Sequence, residues 1–132
     1  MAESYNSKLN KAYTRKLRKL LQKLPSCCAT FMRGIESQTS VLTRYGYAVD
    51  LCTFFEFAVN ELDGFSQKKI EDLSLNEIEQ IRPLDIELFL EHLSLYSKSG
   101  REVVNKERAK ARKLSSLRSF LIPQPVSFFP SC

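Results

Sequence analysis

Thiols, one imidazole and many lysines and arginines are the groups in this 132-residue chain whose types could do chemistry. The cysteines are Cys27, Cys28, Cys52 and Cys132. No two are separated by two residues, so the C-x-x-C pair of zinc sites and thioredoxin-like redox centres is absent. They read as reduced structural thiols. Cys52 falls inside an apolar helical pattern and packs as a small hydrophobe, while adjacent Cys27 and Cys28 cannot both face one interior. An autonomous enzyme using Cys27 or Cys28 as nucleophile would need a base, and the sole histidine, His92, has no partner visible in the sequence. His92 reads instead as a partly exposed helix position. The phosphate-cradling patterns G-x-x-x-x-G-K-[ST] and G-x-G-x-x-G are missing, as is H-E-x-x-H. No self-sufficient active site is expected, and no metal, cofactor or small-molecule substrate.

The cations are more informative, because they are segregated. Residues 1–33 hold eight Lys/Arg against Glu3, a net +7; residues 34–97 carry −8; residues 98–132 carry +6. Two basic flanks around an acidic middle can be folded onto one surface, which makes a polyanion-binding face, with nucleic acid the first partner to consider. The alternative is that lysine-rich helices are solvated faces only. No apolar stretch approaches the roughly 20 residues of a bilayer span, and the charged N-terminus lacks a signal core, so a cytoplasmic protein without a membrane partner is expected.

Those charges must be positioned by helices. From about Ser7 to Leu24, Leu9, Tyr13, Leu17, Leu20, Leu21 and Leu24 recur at three- and four-residue steps with Lys and Arg between them, a basic amphipathic helix. Pro25 disfavours helix at Leu24 and opens a short second segment to about Gly34. The strongest helix spans about Ser40 to Leu62, with Tyr47, Leu51, Phe54, Phe55, Ala58 and Leu62 as its core stripe, an N-cap among Ser37, Thr39 and Ser40, and Gly64 as its stop. Five aromatic rings between Tyr45 and Phe57 suit a base-stacking platform, but their helical spacing reads as core. Ser74-Leu75-Asn76-Glu77 is a capping box. Pro83 and Asp85 open a helix expected to reach about Ser97, followed by a turn or loop at Ser97–Gly100. The last helix starts between Val104 and Glu107 and runs to about Leu121, where Pro123 and Pro125 prevent continuation.

Three of these segments, in order, resemble one family, the N-terminal core-binding (SAM-like) domain of tyrosine recombinases and phage-type integrases. Ser40-x-x-Thr43-x-x-x-Tyr47-x-x-Asp50-Leu51-x-x-Phe54 is similar to the family's S-x-x-T-x-x-x-Y-x-x-D-L-x-x-F helix. Leu84-Asp85-Ile86-x-x-Phe89-Leu90-x-x-Leu93 is similar to its D-I-x-x-F-L-x-x-L helix. Ala111-Arg112-Lys113-Leu114-Ser115-Ser116-Leu117-Arg118-Ser119-Phe120 is similar to its R-[RK]-L-S-[AS]-L-R-x-F helix. The resemblance covers roughly Leu24 to Phe120. It implies an all-α fold, a compact bundle of four to five helices, and three segments of chain: a basic helical leader (1–24), a core-binding domain (25–121) and a non-homologous tail (122–132).

The function implied is duplex DNA binding as the non-catalytic half of a recombinase clamp, with double-stranded DNA and other recombinase protomers as partners. Carried over by position, Ser40, Thr43 and Arg44 contact DNA from one helix, and Arg112, Lys113, Ser116 and Arg118 from the last; charge placement adds Lys106, Arg108 and Lys110. Replacing Arg112 and Lys113 together by alanine is then expected to weaken binding without unfolding the domain. The family's catalytic Arg, His-x-x-Arg and Tyr have no counterpart here, so no cleavage activity is expected. The abrupt change of text after Phe120 reads as a truncated gene, a frameshift or a remnant. The competing reading is a small helical protein-interaction or regulatory domain acting on a full-length recombinase.

Overall fold

A computed structural model of the chain describes residues 5–66, 68–94, 96–98, 101–103 and 107–121, with 96–98, 101–103 and 107 described as backbone only. Among the described residues six α-helices make up the body: α1 (Tyr5–Leu21), α2 (Ser26–Gly34), α3 (Val41–Glu61), α4 (Leu75–Glu79), α5 (Pro83–His92) and α6 (Glu107–Leu121). The fold is all-α, with α1 in the leader and the other five helices within residues 25–121. Its only extended pieces among the described residues are the three-residue strands β1 (Tyr96–Lys98) and β2 (Arg101–Val103), paired antiparallel with Ser97 opposite Glu102.

Local chemistry sets most of the boundaries. Ser40 is the N-cap of α3, its hydroxyl accepting from the Thr43 N–H at 3.2 Å. Ser74 and Glu77 form the reciprocal capping box of α4, and the Glu77 carboxylate also pairs with Lys68. Pro83 occupies the first turn of α5, where the Asp85 carboxylate accepts from the Arg82 backbone N–H at 2.8 Å and from its guanidinium at 3.0 Å. Burial pushes the Asp85 carboxyl up, but these bonds from Arg82 outweigh it and hold the group below the usual range; the same pairing raises the Arg82 guanidinium. Contrary to the expected extension to Ser97, α5 ends at His92. Its last turn tightens, with the Ser94 N–H donating to the Glu91 carbonyl at 3.1 Å, and the chain leaves toward β1.

The core is organised around α3, which is buried on more of its circumference than one stripe would require. Val41, Ala48, Leu51, Phe54, Phe55, Phe57 and Ala58 are all buried along it. Each side meets a different helix. Tyr45 packs edge-on against Tyr13 of α1 (5.2 Å between ring centroids), and Tyr47 faces Phe31 of α2 at 6.3 Å. Phe54 and Phe57 hold Phe89 of α5 at 5.2 and 5.4 Å, and Phe55 lies 6.3 Å from Phe120 of α6, which stacks edge-on with Phe31. The aromatic run from Tyr45 to Phe57 is therefore core, with its two tyrosines half-buried. Leu17 and Leu24 are buried in the same cluster, so the N-terminal basic helix shares the core of the segments after it.

Candidate nucleic-acid interface

Helices α3 and α6 pack together, and the contact is fixed by a carboxylate. Asp50 is 1% exposed, and an isolated buried charge would be costly, so its oxygens must be satisfied by protein donors. They are. Arg112 Nη2 donates to Oδ1 at 3.1 Å, Lys113 Nζ donates to the same oxygen at 3.2 Å, and Ser116 Oγ donates to Oδ2 at 2.7 Å. The Arg112 carbonyl also lies 3.2 Å from the Ser116 hydroxyl, whose single hydrogen favours the shorter, charge-assisted partner.

This arrangement sorts the residues expected to touch DNA. Lys113 and Ser116 are 7% and 2% exposed and face inward, so neither is presented to a ligand; they hold α6 to α3. The Arg112/Lys113 double alanine substitution therefore removes a buried partner of Asp50 and is no clean test of binding. Arg112 is different, because its side chain is 63% exposed while one nitrogen is held on Asp50, leaving the rest of the guanidinium toward solvent. Arg108, one turn before it, is exposed on the same edge of α6. Lys110 is turned to Ser94 Oγ at 3.1 Å. Arg118 lies on another edge, bordering an open groove of about 430 Å³ between α5 and α6 whose apolar walls include Ile86, Leu90, Leu114 and Leu121. Lys106 lies outside the described residues.

At the start of α3, Ser40 and Thr43 are exposed and their hydroxyls lie 3.1 Å apart. Arg44 does not join them. Its Nη1 donates to the Thr39 carbonyl, to Thr39 Oγ1 at 3.1 Å and to the Glu36 carbonyl at 3.1 Å, tying the 3-10 turn Glu36–Gln38 to the helix. Ser40 and Asp50 are ten residues apart on one helix, about 15 Å. The exposed polar groups thus form two sites, the cap of α3 and the Arg108/Arg112 edge of α6. Asp50 is a motif letter in the sequence, and an acid beside Leu51 in an apolar stripe is the signal there that it needs a partner.

The thiols and the imidazole form no comparable site. Cys28 is fully buried on α2 and Cys27 half-buried beside it. The hydrogen bond to Cys27, with burial, pushes the Cys28 thiol well up; the same bond, seen from Cys27, favours its thiolate and lowers it. His92 is half-buried with its ring 5.0 Å from that of Phe57. Among the described residues no group of His, Cys, Asp and Glu is placed to hold a metal ion, and no helix is long and apolar enough to cross a membrane. No protein-family model, curated protein or solved structure matches the chain.

Proposed function

We propose that the chain is a duplex-DNA-binding module of the SAM-like, core-binding type, corresponding to the non-catalytic half of a tyrosine recombinase or integrase clamp. One observation carries this reading. The polar letters of two motif-like segments, Asp50 in the first and Arg112, Lys113 and Ser116 in the last, lie more than sixty residues apart, yet they meet at a single carboxylate. The polar letters of the two segments are thus accounted for together, by one contact between helices, which supports the reading. What α6 then offers to solvent is Arg108 and Arg112, while along α3 Ser40 stands about 15 Å and Thr43 about 10 Å from Asp50. Guanidinium groups pair bidentately with phosphate or guanine, and hydroxyls accept or donate to the backbone.

The test is fluorescence anisotropy of a labelled duplex with the full chain over a range of salt. Neutralising about two phosphates through Arg108 and Arg112 contributes roughly −2 to the slope of log affinity against log salt. Arg108→Ala with Arg112→Ala should flatten that slope and weaken binding, with cooperative unfolding retained. Salt-independent affinity, or an unchanged slope in this variant, removes the reading. A second reading, a protein-interaction domain acting on a full-length recombinase, is favoured by the open apolar groove between α5 and α6. Under that reading Leu90→Glu abolishes capture of the recombinase while Arg108→Ala with Arg112→Ala leaves it intact.

A further inference from the structure

We infer that α1 carries a second line of contacts to duplex DNA phosphates, an inference that rests on the DNA-binding reading and adds a surface to it. Helix geometry places Lys8, Lys11, Arg15, Arg18 and Lys19 around the face opposite Leu17 and Tyr13, at steps of three, four and three residues with Lys19 alongside. All five are exposed. Lys16 stands apart from this ridge, its ammonium lying 4.8 Å from the centre of the Tyr13 ring.

A face that serves solubility alone uses both signs, with acids and bases paired three or four residues apart. Here the sequence has no acidic residue between Glu3 and Glu36, so Arg15 stands three and four residues from the like charges of Arg18 and Lys19, which destabilises the helix. A polyanion relieves that repulsion. The ridge from Lys8 to Lys19 is about 16 Å long. Duplex DNA carries one negative charge per about 1.7 Å of axis, so roughly nine phosphates pass along that length and five cations can be matched. Asn6 and Asn10 line an open groove with Lys11, Arg15 and Arg18, adding amide donors of the kind that position a protein on a phosphate backbone. A membrane surface is a poorer fit. The apolar edge that an interfacial helix would insert is already occupied, with Leu17 buried and Tyr13 packed on Tyr45 of α3.

The experiment compares full-length wild type with K8Q/K11Q/R15Q/R18Q and with R108Q/R112Q, titrated against one labelled duplex between about 50 and 200 mM salt. If all four α1 cations contact phosphates, the first variant flattens the salt slope by about 3 to 4 and binds at least ~10-fold more weakly at the low-salt end, with cooperative unfolding unchanged. If it does not fold, K8Q/K11Q at the outer end of the helix carries the same test with a slope change of about 2. A wild-type slope in the α1 variants beside a flattened one in R108Q/R112Q overturns the inference and leaves the DNA-binding reading standing. Absence of salt-dependent duplex binding by wild type overturns both. Phosphatidylserine vesicles and an RNA duplex of equal length serve as controls; α1-dependent binding to either in preference to DNA overturns the choice of partner.

Discussion

Replacing Asp50 by alanine should be among the most damaging single changes this fold can suffer, although it removes only a carboxylate. Lys113 is 7% exposed and its ammonium has Asp50 Oδ1 at 3.2 Å, so Asp50→Ala leaves a buried cation without its anion. Removing one member of a buried pair costs about 3–5 kcal/mol, against a total domain stability of about 5–15 kcal/mol. With a urea slope of about 2 kcal/mol per molar, the unfolding midpoint should fall by roughly 1.5–2.5 M. Lys113→Met should cost less, because Asp50 keeps Arg112 and Ser116 and the methionine refills the volume of the lysine stem. The double variant Asp50→Leu with Lys113→Met should return to within about 1–2 kcal/mol of wild type, since a dry apolar pair of similar volume replaces the ionic one. Arg112 does not spoil the rescue, being 63% exposed and hydrated once released. Urea denaturation followed by circular dichroism measures all three variants. A loss under about 1 kcal/mol in Asp50→Ala, or a double variant no more stable than Asp50→Ala, would refute the idea that this carboxylate is the clamp between α3 and α6.

Three further outcomes follow from the packing and titration behaviour. Phe54 is fully buried against the rings of Phe55, Phe57 and Phe89, so Phe54→Ala should cost about 3–5 kcal/mol by urea denaturation, whereas Leu75→Ala, at an exposed site, should stay within about 0.5 kcal/mol. Asp85 titrates below its unfolded value, so its contribution is complete above about pH 4 and is lost as pH falls through the folded value; the urea midpoint of wild type should therefore drop more steeply under acid than that of Asp85→Asn. Thiol alkylation with mass mapping should modify Cys27 in the native protein and Cys28 only after unfolding, because one is half-exposed with its thiolate favoured and the other is sealed in the core.

Much of the framework was readable from local chemistry. Ser40, Ser74 and Pro83 announce helix starts through side-chain acceptors and a fixed φ that act over three or four residues, and all three sit where those rules place them. The end of α5 was not readable, because the apolar spacing of Phe89, Leu93 and Tyr96 continues a helical period while the pairing of 96–98 with 101–103 draws the chain out of it. The site was half-legible. Arg108 and Arg112 are exposed on the helix where their charge suggested, but Lys113 and Ser116 carry surface letters and interior positions. The period of α6 puts both on the inner face, four residues before Leu117 and Phe120, but gives no reason for polar groups there. The reason is an acid more than sixty residues earlier, and sequence periodicity reports the face of a helix without reporting who waits on the other side. The same limit hid Arg44, whose guanidinium turns back on the preceding turn instead of outward.

The central position of α3 has a consequence for the order in which the protein can be made. Synthesis supplies α1 and α2 first, so Tyr45 and Tyr47 find their neighbours as soon as α3 emerges. Phe54 and Phe57 must wait for Phe89, and Phe55 for Phe120, near the end of the described chain. Until then a nascent chain displays an oily flank and an Asp50 still hydrated by bulk water. Chaperone capture and premature association should concentrate in that interval, and a ribosome paused before α6 should hold a chain that is far more protease-sensitive than the released product.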